Sequence, residues 1–258
     1  MNTAITCLTF LCAVSSSFAQ PTWRTLDYSR RLDSQLTADR DSAERASLEQ
    51  ATRSRGFVPE RTVSAARLRH KPPAKALAAF VHGMQFAGQG SPKKSVAEFE
   101  KAVQLDPEFS EAIGNLGVQY LTLGLVEKAA TQLRRAIQVD AATSTHHANL
   151  ALVLMLLHEL PEAELEAKTA LALDPASSRA HYLLGCLLTQ RQETWHSAQE
   201  HLRFAAEEFP DAHAALADLY AASGEDALAA AESDLYRRAQ SGQIRQKQSG
   251  HSKKSSGS

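Results

Sequence analysis

Apolar and polar residues alternate at helical spacing through the middle of the chain, and small apolar residues recur beside large ones. Leu116, Gly117 and Tyr120 fall on one face of a helix, and Ala129, Leu133 and Ala136 follow at i, i+4 and i+7. Such spacing gives a segment one face to bury against a neighbour. Gly124 stands between the two sets, where a left-handed residue commonly closes a helix. The pattern predicts two helices joined by a tight turn.

The same pattern returns every 34 residues. Asp106, Asp140 and Asp174 keep that spacing, as do Ala102, Ala136 and Ala170 upstream of them. A period of this length marks one supersecondary unit copied and stacked. The first unit, 76–109, carries Gly83, Phe86, Ser95 and Phe99; the second, 110–143, supplies the residues quoted above. The third, 144–177, has Leu150, Ala151, Leu154, Ala163, Ala167 and Ala170. The fourth, 178–212, opens with Leu184, Gly185 and Leu188. It then takes one extra residue in its internal turn, near Trp195, before Ala198, Leu202, Ala205 and Pro210. A degenerate fifth unit, 213–240, repeats the spacing through Leu216, Ala217, Tyr220, Gly224 and Ala229. It begins three residues early relative to Pro210, which predicts a shortened first helix.

Gly83, Gly117, Ala151 and Gly185 occupy equivalent positions in the first helices, where a small residue lets a partner helix approach closely. Gly90 and Gly124 sit at the internal turns, but His158 and Gln192 replace glycine at the next two, predicting corners of a different shape. Asp-Pro at 106–107 and 174–175 stops the second helix and sets the turn into the next unit.

These residues resemble the tetratricopeptide repeat (TPR) family. Its 34-residue unit is a helix–turn–helix with a small residue in the first helix, alanines in the second and a closing proline. Gly117, Tyr120, Ala129, Ala136, Pro107 and Pro175 match that arrangement over about 76–240. The resemblance implies an all-α fold, an α-solenoid of stacked helix–turn–helix pairs, in an exported bacterial protein. Gly83, Gly117, Tyr120, Ala129, Ala136, Ala163, Ala170, Gly185 and Ala198 are its expected packing residues.

The flanks read differently. Residues 1–19 look like a secretory signal peptide, with an apolar run from Ala4 to Val14 and a Ser17-Phe18-Ala19 ending before a cleavage site. The run is too short to cross ~30 Å of hydrocarbon, and no membrane span is expected. Cleavage near Ala19 predicts an exported protein, periplasmic or secreted. From 20 to 73 the chain is rich in Arg, Asp, Ser and Gln, which predicts a flexible or partly helical arm. The tail 241–258 has few apolar residues and is expected to be disordered.

Charge and chemistry narrow the function. The 28 basic and 29 acidic residues argue against a dedicated nucleic-acid binder, which would carry a basic domain. Cleavage would remove Cys7 and Cys12 and leave Cys186 with no disulfide partner in the chain; it reads as a packed or groove-lining thiol. Histidines are numerous, at 146, 147, 158, 181, 196, 201 and 213, but no H-E-x-x-H motif or Cys cluster accompanies them. His147 and His181 occupy equivalent positions in neighbouring units, ~10 Å apart or a little less by helix spacing, too far to share one ion. His196 and His201 are five apart, off the i, i+4 spacing of one helix face. No metal site and no cofactor are expected. No nucleophile elbow, phosphate loop or dinucleotide fingerprint is present, so an enzyme is not expected.

In the TPR family the first helices line a concave groove through positions 2, 5, 9 and 12. Carried onto this chain, the resemblance implies Leu77, Phe80, Met84 and Ala87; Glu111, Gly114, Val118 and Leu121; Thr145, Ala148, Leu152 and Met155; and Arg179, Tyr182, Cys186 and Thr189. This lining is mostly apolar. Phe80 and Met84 stand where a Lys/Asn carboxylate clamp would need its lysine and asparagine. Asn115 and Asn149 recur at one position, where each could bond a peptide backbone or satisfy a helix turn. The expected function is a protein-interaction scaffold holding a peptide or partner helix in this groove. The alternative is a structural or self-assembling envelope component without a dedicated ligand groove, joined end to end through its incomplete caps.

Overall fold

The computed structural model describes residues 70–255, with side chains described to Ser241. The expected signal peptide, 1–19, and nearly all of the expected 20–73 arm lie outside the described residues. Within them the chain is all-α. The helices are α1 (Ala74–Gly88), α2 (Pro92–Leu105), α3 (Ser110–Thr122), α4 (Val126–Val139), α5 (Ser144–Leu156), α6 (Leu160–Leu173), α7 (Ser178–Leu188), α8 (Trp195–Ala206), α9 (Asp211–Ser223) and α10 (Asp226–Ser255). They group into two compact units, 70–142 and 143–255 among the described residues. In each unit, odd-numbered helices pack with the even-numbered helix that follows, and each pair packs on the next.

The internal turns explain the glycines. Gly90 and Gly124 adopt φ of 67° and 74°. Their amides bond the carbonyls of Ala87 and Leu121, and the next residues, Ser91 and Leu125, bond back to Phe86 and Tyr120 at 2.9 Å. This double closure satisfies carbonyls that the helix end would leave open. His158 adopts the same conformation, φ 60°, with the same two bonds to Met155 and Leu154. Its corner therefore keeps the glycine shape, contrary to the expectation from sequence. The Gln192 corner does differ. There the extra residue is absorbed by a 3-10 turn, Gln192–Thr194. Thr194 Oγ1 donates to the Leu188 carbonyl at 2.6 Å, and Trp195 Nε1 donates to that of Thr189 at 3.1 Å.

The acidic corners have an equally local cause. Asp106, Asp140 and Asp174 leave the helix in extended backbone. Each carboxylate accepts the amide of the residue two ahead, Glu108, Ala142 and Ala176, at 3.2, 3.1 and 3.2 Å. An aspartate that bonds its own backbone in this way fixes the turn.

Packing within each pair depends on small residues. A Cβ on Gly83 would lie 2.7 Å from the Phe99 ring, one on Gly117 2.8 Å from Leu133, and one on Gly185 2.7 Å from Leu202. Ala129, Ala136, Ala163, Ala170 and Ala198 are fully buried. Tyr120 is half-buried and donates its hydroxyl to Glu100 at 2.6 Å. Burial and the neighbouring Glu100 push its phenol up to about 12. The first unit centres on Phe80, Phe99, Phe109 and Ile113, with ring centroids 5.6 Å (Phe80–Phe99) and 5.0 Å (Phe80–Phe109) apart.

One expectation is corrected. The first helix of the fifth pair is not shortened: α9 has 13 residues, like α3 and α5. The shortfall falls in α8, with 12 residues against 14 in α2, α4 and α6. The last helix, α10, is 30 residues long and ends at Ser255. Over 241–255 no proline interrupts the helix, and Gln and Lys favour it, whereas Ser and Gly do not.

Candidate partner-binding face

The proposed lining divides by exposure. In the unit 70–142, Leu77 and Met84 on α1 and Val118 on α3 are half-exposed, whereas Phe80 and Leu121 are buried. Phe80 lies in the aromatic core described above, so its first duty is to the fold. In the unit 143–255, Leu152, Met155, Tyr182 and Cys186 are all buried, and Tyr182 stacks on Phe209 with centroids 5.8 Å apart. Arg179 is half-exposed and donates to Asn149 Oδ1 at 2.7 Å. Asn115 donates to the Glu111 carbonyl one turn back at 2.8 Å. Each of the two recurring asparagines thus has an internal partner, the second through a side chain rather than through its own turn.

One surface was not legible in the sequence. Between α6 and α7, Leu160, Pro161, Leu165 and Leu187 line a shallow cleft of about 420 Å³, with Leu165 62% exposed. Its polar edge is fixed: Glu164 accepts from Lys168 at 2.7 Å and from Arg191 at 3.0 Å. The Lys168 bond, aided by Arg191, holds this carboxyl below the usual carboxylate range against the effect of its burial.

The histidines prove to be ordered rather than scattered. A residue in the first turn of a first helix repeatedly faces the middle of the second helix of its pair. His147 on α5 meets Glu166 on α6 at 2.6 Å, and His213 on α9 meets Glu232 on α10 at 2.6 Å. In the pair between them the acid is replaced: His181 Nδ1 on α7 meets His201 Nδ1 on α8 at 2.8 Å. Sequence reasoning compared His201 only with His196 and missed this contact. The signal was available, since positions 98, 132, 166, 201 and 232 align once the extra residue of the fourth unit and the three-residue early start of the fifth are allowed for, and all are polar. In the first unit Ala79 and Ile113 stand at the positions equivalent to His147, and the buried Glu98 Oε2 and Gln132 Oε1 find no hydrogen bond among the described residues. No three His, Cys, Asp or Glu side chains among the described residues converge as a metal site would require.

No family model matches the chain, and no curated protein is similar to it in sequence. Solved structures are similar in fold. Pseudomonas aeruginosa PilF is 22% identical at a TM-score of 0.57, over 64% of this chain and 76% of that one. TTC0263, a thermophilic TPR protein of Thermus thermophilus, is 22% identical at a TM-score of 0.54, over 66% and 99%. YrrB, a TPR protein with an unusual peptide-binding site, is 18% identical at a TM-score of 0.50, over 62% and 84%. With the 34-residue period, the paired helices and the small-residue contacts inside each pair, the described chain has the tetratricopeptide-repeat fold.

Proposed function

We propose that this protein is a non-catalytic interaction scaffold that takes a peptide or partner helix on the apolar faces of its first helices. The observation that carries the reading is the half-exposed set Leu77, Met84 and Val118 in the first unit, apolar residues that the core does not fully absorb. No lysine or asparagine stands at the clamp positions, so the partner is held by apolar side chains rather than by a terminal carboxylate. YrrB, with the same fold, is described as having a peptide-binding site, which fits this class of function. The signal-like segment 1–19 further suggests that the partner is met after export.

The test uses the half-exposed positions, because a charge at Phe80 or Leu152 would enter the core and report on folding. Met84→Glu and Val118→Glu are expected to leave helicity unchanged and to reduce in-cell crosslinking to the partner about tenfold or more, as loss of an interface anchor does. Unchanged crosslinking by both variants would remove this face from consideration. The self-assembly reading draws on a separate observation: Leu228 and Leu235 of α10 are 44% and 43% exposed at the end of the last pair. A molar mass that stays monomeric across a wide concentration range in light scattering would eliminate it.

A further inference from the structure

We propose that the His181–His201 contact is an acid-sensitive latch between α7 and α8, closed while the two imidazoles share no more than one excess proton and opened when both are cations. The hydrogen-bond directions are fixed by the neighbours. His181 Nε2 lies 3.0 Å from the Pro175 carbonyl, which can only accept, so Nε2 carries a proton. In neutral His181 the lone pair is then on Nδ1, and His201 must donate to it through its own Nδ1–H across 2.8 Å. The ring centroids are 5.0 Å apart, so the rings meet nitrogen to nitrogen, as a hydrogen bond requires, rather than converging on a common point as two metal ligands would. Phe204, stacked on His181 at a centroid distance of 4.1 Å, holds that ring in place.

Protons act on this pair in two steps. The first can sit on His201 Nε2 and leaves the bridging bond intact. With the second, both Nδ1 atoms carry protons whichever ring was charged first, so two N–H groups and two positive charges face each other. Burial, followed by the charge of His181, lowers the His201 pKa below the ordinary histidine value, and Glu200 pulls weakly the other way. The sign follows by linkage. A histidine whose folded pKa is depressed contributes its full stability above the unfolded value of ~6.5 and loses it as pH falls through the folded value.

The surrounding charges do not cancel the effect. The titratable groups on the packed elements are His146 and His147 of α5; Glu162, Glu164, Glu166 and Lys168 of α6; Glu193 of the 3-10 turn; His196, Glu200 and Arg203 of α8; and Asp211, His213, Asp218 and Tyr220 of α9. Of these only Glu200 acts on His201 through its charge. Glu166 is taken by His147, Glu164 by Lys168 and Arg191, and Arg203 bonds the Tyr220 hydroxyl. In the flanking His147–Glu166 and His213–Glu232 pairs a carboxylate, not a second imidazole, faces the histidine, so positive charge there meets an acceptor rather than another cation.

Hydrogen exchange read by mass spectrometry at about pH 7.5 and about pH 5, corrected for intrinsic rates, tests the latch across the titration range of histidine. The wild type is expected to lose protection about tenfold or more in α7 and α8 at acid pH, with a smaller loss in α6 and α9, which pack on them, and α5 retaining its own. His201→Glu builds the histidine–carboxylate pair of the flanking helix pairs, and His201→Gln places there the residue that α4 carries at position 132. Both are expected to abolish the selective loss. Equal protection at the two pH values, a loss spread evenly over 143–241, or an undiminished loss in the variants would each overturn the proposal. Should either variant fail to fold, the wild-type pattern and the other variant still decide it.

Discussion

His158 holds a backbone conformation that disfavours any residue with a Cβ. Its φ of 60° is the left-handed region, where the side chain crowds the following carbonyl at a cost of about 1–2 kcal/mol. The imidazole is exposed and lies at the turn where Gly90 and Gly124 take the same bonds without that cost. His158→Gly is therefore expected to stabilise the chain by about 0.5–1 kcal/mol, after the extra unfolded-state entropy of glycine is subtracted. Denaturant titration of the pair of proteins measures this; a loss of stability would mean that the imidazole contributes something the turn geometry does not reveal. The same residue shows how the chain tolerates departures from its own pattern. What recurs at an internal turn is the hydrogen-bonded shape, and glycine is only the residue that adopts it most easily.

At the scale of paired helices, two positions exchange volume. Where the first helix has Gly83, Gly117 or Gly185, the second presents a large residue, Phe99, Leu133 or Leu202, at 2.7–2.8 Å from where a Cβ would stand. In the third pair the same slots hold Ala151 and Ala167, and both are fully buried. The gap between the helices is filled either by glycine against a large side chain or by alanine against alanine. Ala167→Leu alone is expected to overpack the slot and cost about 1–3 kcal/mol. Adding Ala151→Gly reopens it, so a double-mutant cycle is expected to show favourable coupling of about 1 kcal/mol or more, beyond the intrinsic helix penalty of the glycine. Strict additivity would mean that the two residues do not share the slot. Each residue can be read from the repeat alignment, but their exchange cannot, because periodicity records which positions are buried and not which side chain reaches across to fill the space.

Over a whole unit, a repeat chain is stabilised by its neighbours, since each pair buries its faces only against the next. Gly185→Ala pushes a methyl into Leu202, with the Leu202 amide nitrogen also only 3.2 Å from the new carbon. The expected cost is about 1–3 kcal/mol. Loss of hydrogen-exchange protection is expected to extend from α7 and α8 into α6 and α9, which pack on them. A loss confined to α7 and α8 would show that the pairs of this unit fold independently. The sequence by itself determined the all-α repeat, its pairs, the left-handed turns at Gly90 and Gly124 and the acidic corners, because each depends on residues within a few positions of one another. Only the tertiary structure decided which apolar residues of the first helices stay open, Leu77, Met84 and Val118, and which close, Phe80, Leu152 and Met155. Exposure depends on what packs over a residue from elsewhere in the chain. The same reason hid the His181–His201 contact: it joins side chains 20 positions apart, across one extra residue in a turn.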